Sequence, residues 1–127
     1  MEFNTIQKDK KLASYLKKSK CRLLISWHDF KKTPNESQLK SRFNKMRKFS
    51  NVVKIVTVAK NVSDASRLLS LYSIKSKNKT VAFCMGDQGK FSRILCLHLG
   101  SPFTYVSLGK AIAPGQFSVD EIKSLQY

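Results

Sequence analysis

Two residues of this chain are of types that can do covalent and proton-transfer chemistry together, Lys54 and His28. Lys54 lies inside Asn51-Val52-Val53-Lys54-Ile55-Val56-Thr57-Val58-Ala59. Such a run of valine and isoleucine reads as a buried strand of a parallel sheet. An ammonium in apolar surroundings needs a partner to stay charged. Desolvation lowers its pKa, and a neutral amine is a nucleophile toward carbonyls. The plainer alternative is a lysine near a strand end, with its ammonium reaching water. His28 follows the apolar run Leu23-Leu24-Ile25-Ser26-Trp27. If Lys54 forms an imine with a ketone, the protonated imine acidifies the adjacent carbon. A histidine at the next strand end could then move the proton. Taken alone, His28 reads first as a hydrogen-bonded structural histidine.

The elements around these two residues follow from periodicity and capping chemistry. Met1-Glu2-Phe3 reads as the tail of a strand, and Thr5 to Ser19 as one helix with Ile6, Leu12, Tyr15 and Leu16 on one side. Arg22 to Trp27 is a strand that ends at His28-Asp29-Phe30. Thr33-Pro34-Asn35-Glu36 then opens a helix that runs to about Lys48. There Thr33 suits the N-cap, Pro34 the first helical position, and Glu36 completes a capping box. The lysine strand covers 52–58. A helix starts at Val62-Ser63-Asp64 and carries Ala65, Leu68, Leu69 and Leu71. Thr80 to Met85 is a strand closed by Gly86, and Ser92 to His98 is a short helix. Thr104-Tyr105-Val106 is a last short strand and Ala113-Pro114-Gly115-Gln116 a loop. Ser118 and Glu121 form a second capping box, opening the final helix.

Strands alternating with helices imply βαβ units and a parallel sheet, in which function gathers at the carboxyl ends of the strands. Side-chain alternation puts Lys54 on one face with Val52 and Val56, while Val53 and Ile55 meet the helices. An inward His28 takes Leu24 and Ser26 with it and sends Leu23, Ile25 and Trp27 outward. The two choices agree, so both side chains can share one face.

The chain has 127 residues, enough for one domain with one core. Its hydrophobic fraction of 42% and charged fraction of 25% exclude a disordered chain. No apolar run has the length of a membrane span, and residues 1–20 are too polar for a secretory signal. Cys21, Cys84 and Cys96 make no CxxC pair and have no histidine at zinc spacing. They read as reduced thiols of a cytoplasmic protein, with no metal and no cofactor expected. The net charge of +16 invites a nucleic-acid or other anionic partner. The cations are spread along helical regions, however, with no aromatic-interleaved basic ribbon and no helix-turn-helix pattern. Nucleic acid is therefore not the expected partner.

Six pieces of the chain carry a family resemblance. They are Ser26-Trp27-His28-Asp29-Phe30 with Thr33-Pro34, Val53-Lys54-Ile55, Met85-Gly86 with Gly89, Ser92-Arg93-Ile94, Gly100-Ser101, and Ala113-Pro114-Gly115-Gln116. In this order and spacing the chain resembles type I 3-dehydroquinate dehydratase over about residues 2 to 124. The resemblance implies an α/β fold, a (β/α)8 barrel of which this chain holds roughly strands 4 to 8 with their helices. It also implies the third step of the shikimate pathway. Lys54 would form a Schiff base with the ketone of 3-dehydroquinate. His28 would take the proton from the neighbouring carbon and assist the departure of water. Arg93 would pair with the substrate carboxylate, Gln116 would contact substrate hydroxyls from a closing loop, and Met85 would stand in the pocket wall.

The chain departs from the family pattern in two ways. Where the family usually has serine before Ala-Pro-Gly-Gln, this chain has Ile112. A full barrel takes about 250 residues, and this chain has half. Met1-Glu2-Phe3 resembles the end of the family's fourth strand. The first three strand-helix units, expected to supply the acidic residue that orients the histidine, would lie outside the chain. The expected partner is a second copy or a complementing N-terminal half that covers the open edges. Two other readings stand beside this one: a non-catalytic basic α/β module for nucleic acid or another polyanion, and an inactive truncated remnant of the enzyme.

Overall fold

A computed structural model describes residues 1–125. Helices α1 (Phe3–Lys8) and α2 (Lys10–Lys18) lead into strand β1 (Leu24–His28) and helix α3 (Glu36–Met46). Strand β2 (Val52–Val58), helix α4 (Val62–Leu69), strand β3 (Lys79–Met85) and helix α5 (Ser92–His98) follow. Two short strands, β4 (Val106–Ser107) and β5 (Phe117–Ser118), precede helix α6 (Val119–Ser124). Strands β1, β2 and β3 form a parallel sheet in that order, with Ser26 opposite Lys54 and Lys54 opposite Val81. Among the described residues no helix is long and apolar enough to cross a membrane.

The alternation read from sequence holds. Ile25, Trp27, Val53, Ile55, Ala82 and Cys84 pack into one core with Leu39, Phe43, Met46, Ala65, Leu68 and Leu71 from the helix layer. Each fully buried Val, Leu, Ile, Phe or Met side chain among these contributes about 1.5–3 kcal/mol. Val56, Val81, Phe83 and Met85 form a second cluster, which Leu69 and Cys96 complete.

Several local expectations change. The first helix is broken at Asp9, which takes an extended conformation (φ −112°, ψ 95°) and accepts the Leu12 N–H at 2.9 Å. Aspartate in mid-helix competes for backbone donors, and here it starts a new helix instead. Phe3 is buried and opens α1, so the strand tail shrinks to one parallel bridge between Glu2 and Ser26. His28 is the last residue of its strand rather than the first beyond it.

The cap of α3 is Asn35, not Thr33. Asn35 accepts the Gln38 N–H at 2.9 Å, and the Gln38 side chain answers at the Asn35 N–H. Thr33 is used elsewhere. Its buried hydroxyl donates to the Val58 carbonyl at 2.8 Å and meets the Thr57 hydroxyl at 2.7 Å. This ties the β1–α3 connection to the end of β2. Thr33→Val should therefore cost about 1–3 kcal/mol by stranding these groups, read as a lower urea midpoint with unchanged slope.

The wall does not run on from β3 into a fourth hydrogen-bonded strand. The expected strand at 104–106 is shifted to β4, which pairs in parallel with β5. The reason is local. The Tyr72 hydroxyl donates to the Ala82 carbonyl at 3.0 Å and accepts the Ala82 N–H at 2.7 Å. Ser92 Oγ accepts the Cys84 N–H at 2.8 Å. Two side chains thus occupy the outer edge of β3. Burial pushes the Tyr72 phenol up to about 12, so it keeps its proton. The segment before β4 lies against β3 through its rings, with Tyr105 6.0 Å from Phe83 and 5.7 Å from Phe103.

Candidate active site

Lys54 sits in the middle of β2, where a parallel sheet gives every second side chain the same face. His28 pairs with Val56, two residues beyond Lys54 on that face of the adjacent strand. With Phe83, Met85, Arg93, Tyr105, Ala113 and Gln116, both line a cavity of about 230 Å³ at the carboxyl ends of the strands. All four residues singled out from sequence for chemistry and binding, and the methionine singled out for the wall, meet there.

The Lys54 ammonium is half-buried. Burial lowers its pKa, the Arg93 guanidinium lowers it further, and the Glu2 carboxylate pulls the other way. The face of the Tyr105 ring lies 4.2 Å from Nζ and also favours the cation. A mobile proton and a free lone pair are what an attacking amine needs.

His28 is held from two sides. Its Nδ1 lies 3.1 Å from Glu2 Oε2, and Phe30 stacks on the ring at 5.7 Å with an interplanar angle of 10°. Ser26 Oγ donates to the same Glu2 oxygen at 3.0 Å. A neutral ring that donates from Nδ1 presents Nε2 as the acceptor, the form a general base requires. The carboxylate beside the histidine was expected from outside the chain; Glu2 lies there instead. Glu2 shares the face of Ser26 and His28 because its single bridge to Ser26 sets the register. A tail of two residues gives no alternation to read, so the sequence offered no face for Glu2. Tyr105 also went unassigned from sequence, although it alternates with Phe103 in the last apolar run.

Arg93 is 2% exposed. Its guanidinium lies over the Phe83 ring at 4.5 Å, and Nη2 donates to the Pro114 carbonyl at 3.5 Å. Nε is buried with no partner, and burial lowers the pKa. Guanidinium stays cationic even so. A buried fork with an unused donor suits a planar anion such as a carboxylate.

The loop that carries Gln116 is anchored to the end of β3. The Gly86 N–H donates to the Pro114 carbonyl at 3.1 Å. Gly115 has φ +70°, and a Cβ there would collide with the Gly86 carbonyl oxygen. Only glycine fits that approach. Gln116 Oε1 accepts the Ile112 N–H at 2.9 Å and the Ala113 N–H at 3.4 Å, so only its amide donors remain for a ligand. Ile112 itself is 90% exposed and does not line the cavity. Among the described residues no group of His, Cys, Asp and Glu side chains could hold a metal ion.

The model of the type I 3-dehydroquinase family matches residues 1–127. The 3-dehydroquinate dehydratase of Pyrobaculum aerophilum is 47% identical over 103 residues, covering 81% of this chain and 34% of that protein. That of Syntrophobacter fumaroxidans is 42% identical over 113 residues, covering 84% and 48%. The crystal structure of the 3-dehydroquinate dehydratase from Aquifex aeolicus superposes with a TM-score of 0.81 at 31% identity, covering 98% of this chain and 57% of that one. The chain thus spans about half the length, or less, of the relatives it matches. With its parallel sheet and its lysine, histidine and arginine gathered at one end of it, the chain belongs to the type I 3-dehydroquinase family.

Proposed function

We propose that this chain is the lysine-bearing part of a 3-dehydroquinate dehydratase, a hydro-lyase that converts 3-dehydroquinate to 3-dehydroshikimate through a Schiff base on Lys54. The observation that carries this is the convergence of the Lys54 amine, the His28–Glu2 pair and the Arg93 fork on one cavity. The substrate ketone would meet Nζ, form a carbinolamine and lose water to give the imine. The iminium draws electrons from the adjacent carbon, whose proton passes to His28 Nε2. The hydroxyl on the next carbon then leaves as water, with His28 returning the proton. Hydrolysis of the imine frees product and lysine. Glu2 holds the ring tautomer, Arg93 takes the carboxylate, and the Gln116 amide donates to a hydroxyl.

The chain corresponds on this reading to strands 4 to 8 of a barrel, and the side of the sheet where Glu2 bridges to β1 is where a second copy or a complementing N-terminal half would close it. The free Cys84 and Cys96, both buried, fit a reducing compartment such as the cytoplasm. The test is borohydride reduction in the presence of 3-dehydroquinate, with the N-terminal half of a relative supplied where turnover requires it. Peptide mapping should place one substrate-derived adduct on Lys54. A protein that binds substrate yet yields no adduct, or one on another lysine, sinks the proposal.

Arg93→Ala should raise KM steeply, by about 30-fold or more, since a desolvated charge pair to a carboxylate is worth roughly 2–5 kcal/mol. Steady-state kinetics with 3-dehydroquinate reads this directly. An unchanged KM would mean that the carboxylate binds elsewhere.

A further inference from the structure

The cations that look scattered along the sequence are gathered by the fold. Ten of the 24 lysines and arginines lie at the end of the sheet opposite the candidate active site. The end of α2 and the turn after it carry Lys17, Lys18, Lys20 and Arg22. The end of α3 and the turn after it carry Lys45, Arg47 and Lys48, and the turn before β3 together with its first residue carries Lys75, Lys77 and Lys79. All but the half-buried Arg47 are exposed. None of the chain's eight carboxylate residues lies in these turns. Asp29, Asp64 and Asp87 follow strands β1, β2 and β3, and the others lie at Glu2 or at helix starts.

Helix-dipole complementarity explains part of this pattern but not all. Cations in a last helical turn are favourable, which accounts for Lys17, Lys18 and Lys45. Lys20, Arg22, Lys48, Lys75, Lys77 and Lys79 lie outside any helix and gain nothing that way. Their mutual repulsion is a cost that an ordinary solvated surface would relieve with interspersed carboxylates.

The three turns are also tied into one rigid rim. Ser50 Oγ donates to the Leu23 carbonyl and accepts the Val52 N–H at 3.0 Å. Asn78 Nδ2 donates to the Ser50 carbonyl at 2.7 Å, and the Lys79 N–H to the Asn51 carbonyl at 2.7 Å. Between them runs a groove of about 840 Å³. Its walls include Lys17, Arg22, Lys77 and Lys79, and its floor includes Leu23 and the half-buried Phe49 ring. A cationic groove with an aromatic in its floor matches the requirements of a single-stranded phosphodiester chain, which offers spaced charges and unstacked bases.

We propose that this groove binds single-stranded nucleic acid, independently of the cavity at the other end of the sheet. Four wall cations imply a salt slope of roughly −3 for log K against log salt, so affinity falls about 50-fold between 50 and 200 mM KCl. The test is fluorescence anisotropy with a labelled twelve-nucleotide oligouridine. The variant Arg22→Glu/Lys77→Glu/Lys79→Glu should bind at least about 30-fold more weakly at 50 mM KCl and lose about two from the slope. Lys31→Glu/Lys32→Glu/Lys60→Glu changes the net charge equally at the opposite end of the sheet and should bind within about threefold of the parent. If the glutamate triple perturbs folding, glutamine at the same three positions should still remove the binding. The proposal is overturned by no binding at 50 mM KCl, by equal losses in both triples, which would make the attraction a matter of net charge alone, or by tighter binding to anionic phosphatidylserine vesicles than to the oligonucleotide.

Discussion

Lys54→Ala should lose all borohydride-trapped substrate and essentially all dehydratase turnover. Removing a covalent nucleophile costs on the order of 10⁶ in kcat where such a group has been deleted. The fold should survive, because the backbone of β2 is held by β1 and β3 on both sides. Stability should move the other way from activity. Burial, then Arg93, depress the pKa of Lys54. The folded protein therefore binds fewer protons than the unfolded chain in the window between the depressed and the ordinary lysine pKa. Stability contributed by this group rises with pH through that window, and at neutral pH the buried ammonium is a cost. Lys54→Met keeps the volume and removes the charge, so its urea midpoint at pH 7 should equal or exceed that of the parent. The same depressed pKa predicts that the trapping rate climbs with pH and levels off below the range of an exposed lysine. A rate that climbs through the ordinary lysine range would show that the amine is not perturbed, and the nucleophile would have to be sought elsewhere.

His28→Ala should separate binding from proton transfer. A positioned general base is worth about 10²–10⁴-fold, and turnover should drop by that much. Imine formation rests on the amine of Lys54, so the variant should still yield the reduced adduct when borohydride is added. The expected result is therefore a protein that captures substrate and stalls. Glu2→Gln should behave as a weaker version, because the amide still reaches Nδ1 but no longer stabilises an imidazolium. Its kcat should fall while KM holds. Wild-type turnover in His28→Ala would reduce the histidine to a structural role.

The strands around this chemistry were legible because their signal is regular. The runs of β1, β2 and β3 are rich in apolar residues, as strands of a buried parallel sheet are, and helix α5 and the Ser118–Glu121 capping box stand where the pattern put them. What escaped was decided by contacts far away in sequence. Thr33 has every local reason to cap α3, but a bond to Val58 outweighs it. Glu2 stands too close to the chain start to show a period. The last strand was displaced by a tyrosine more than thirty residues upstream of it. The charge distribution was misleading in the same way. Lys17, Arg22 and Lys77 are distant along the chain yet line one groove, since each lies where the chain returns to the same end of the sheet.

The closed outer edge of β3 has a consequence for how copies of this chain can meet. A filament built by strand addition needs two unlike free edges on every unit, one to donate and one to receive. Here Tyr72 and Ser92 have withdrawn one of them from exchange. The outer edge of β1 is engaged as well, since Ser26 donates its N–H to the Met1 carbonyl at 2.9 Å and Glu2 bridges to Ser26. A strand from another chain could add to either edge of this three-stranded sheet only by displacing contacts that the chain makes with itself.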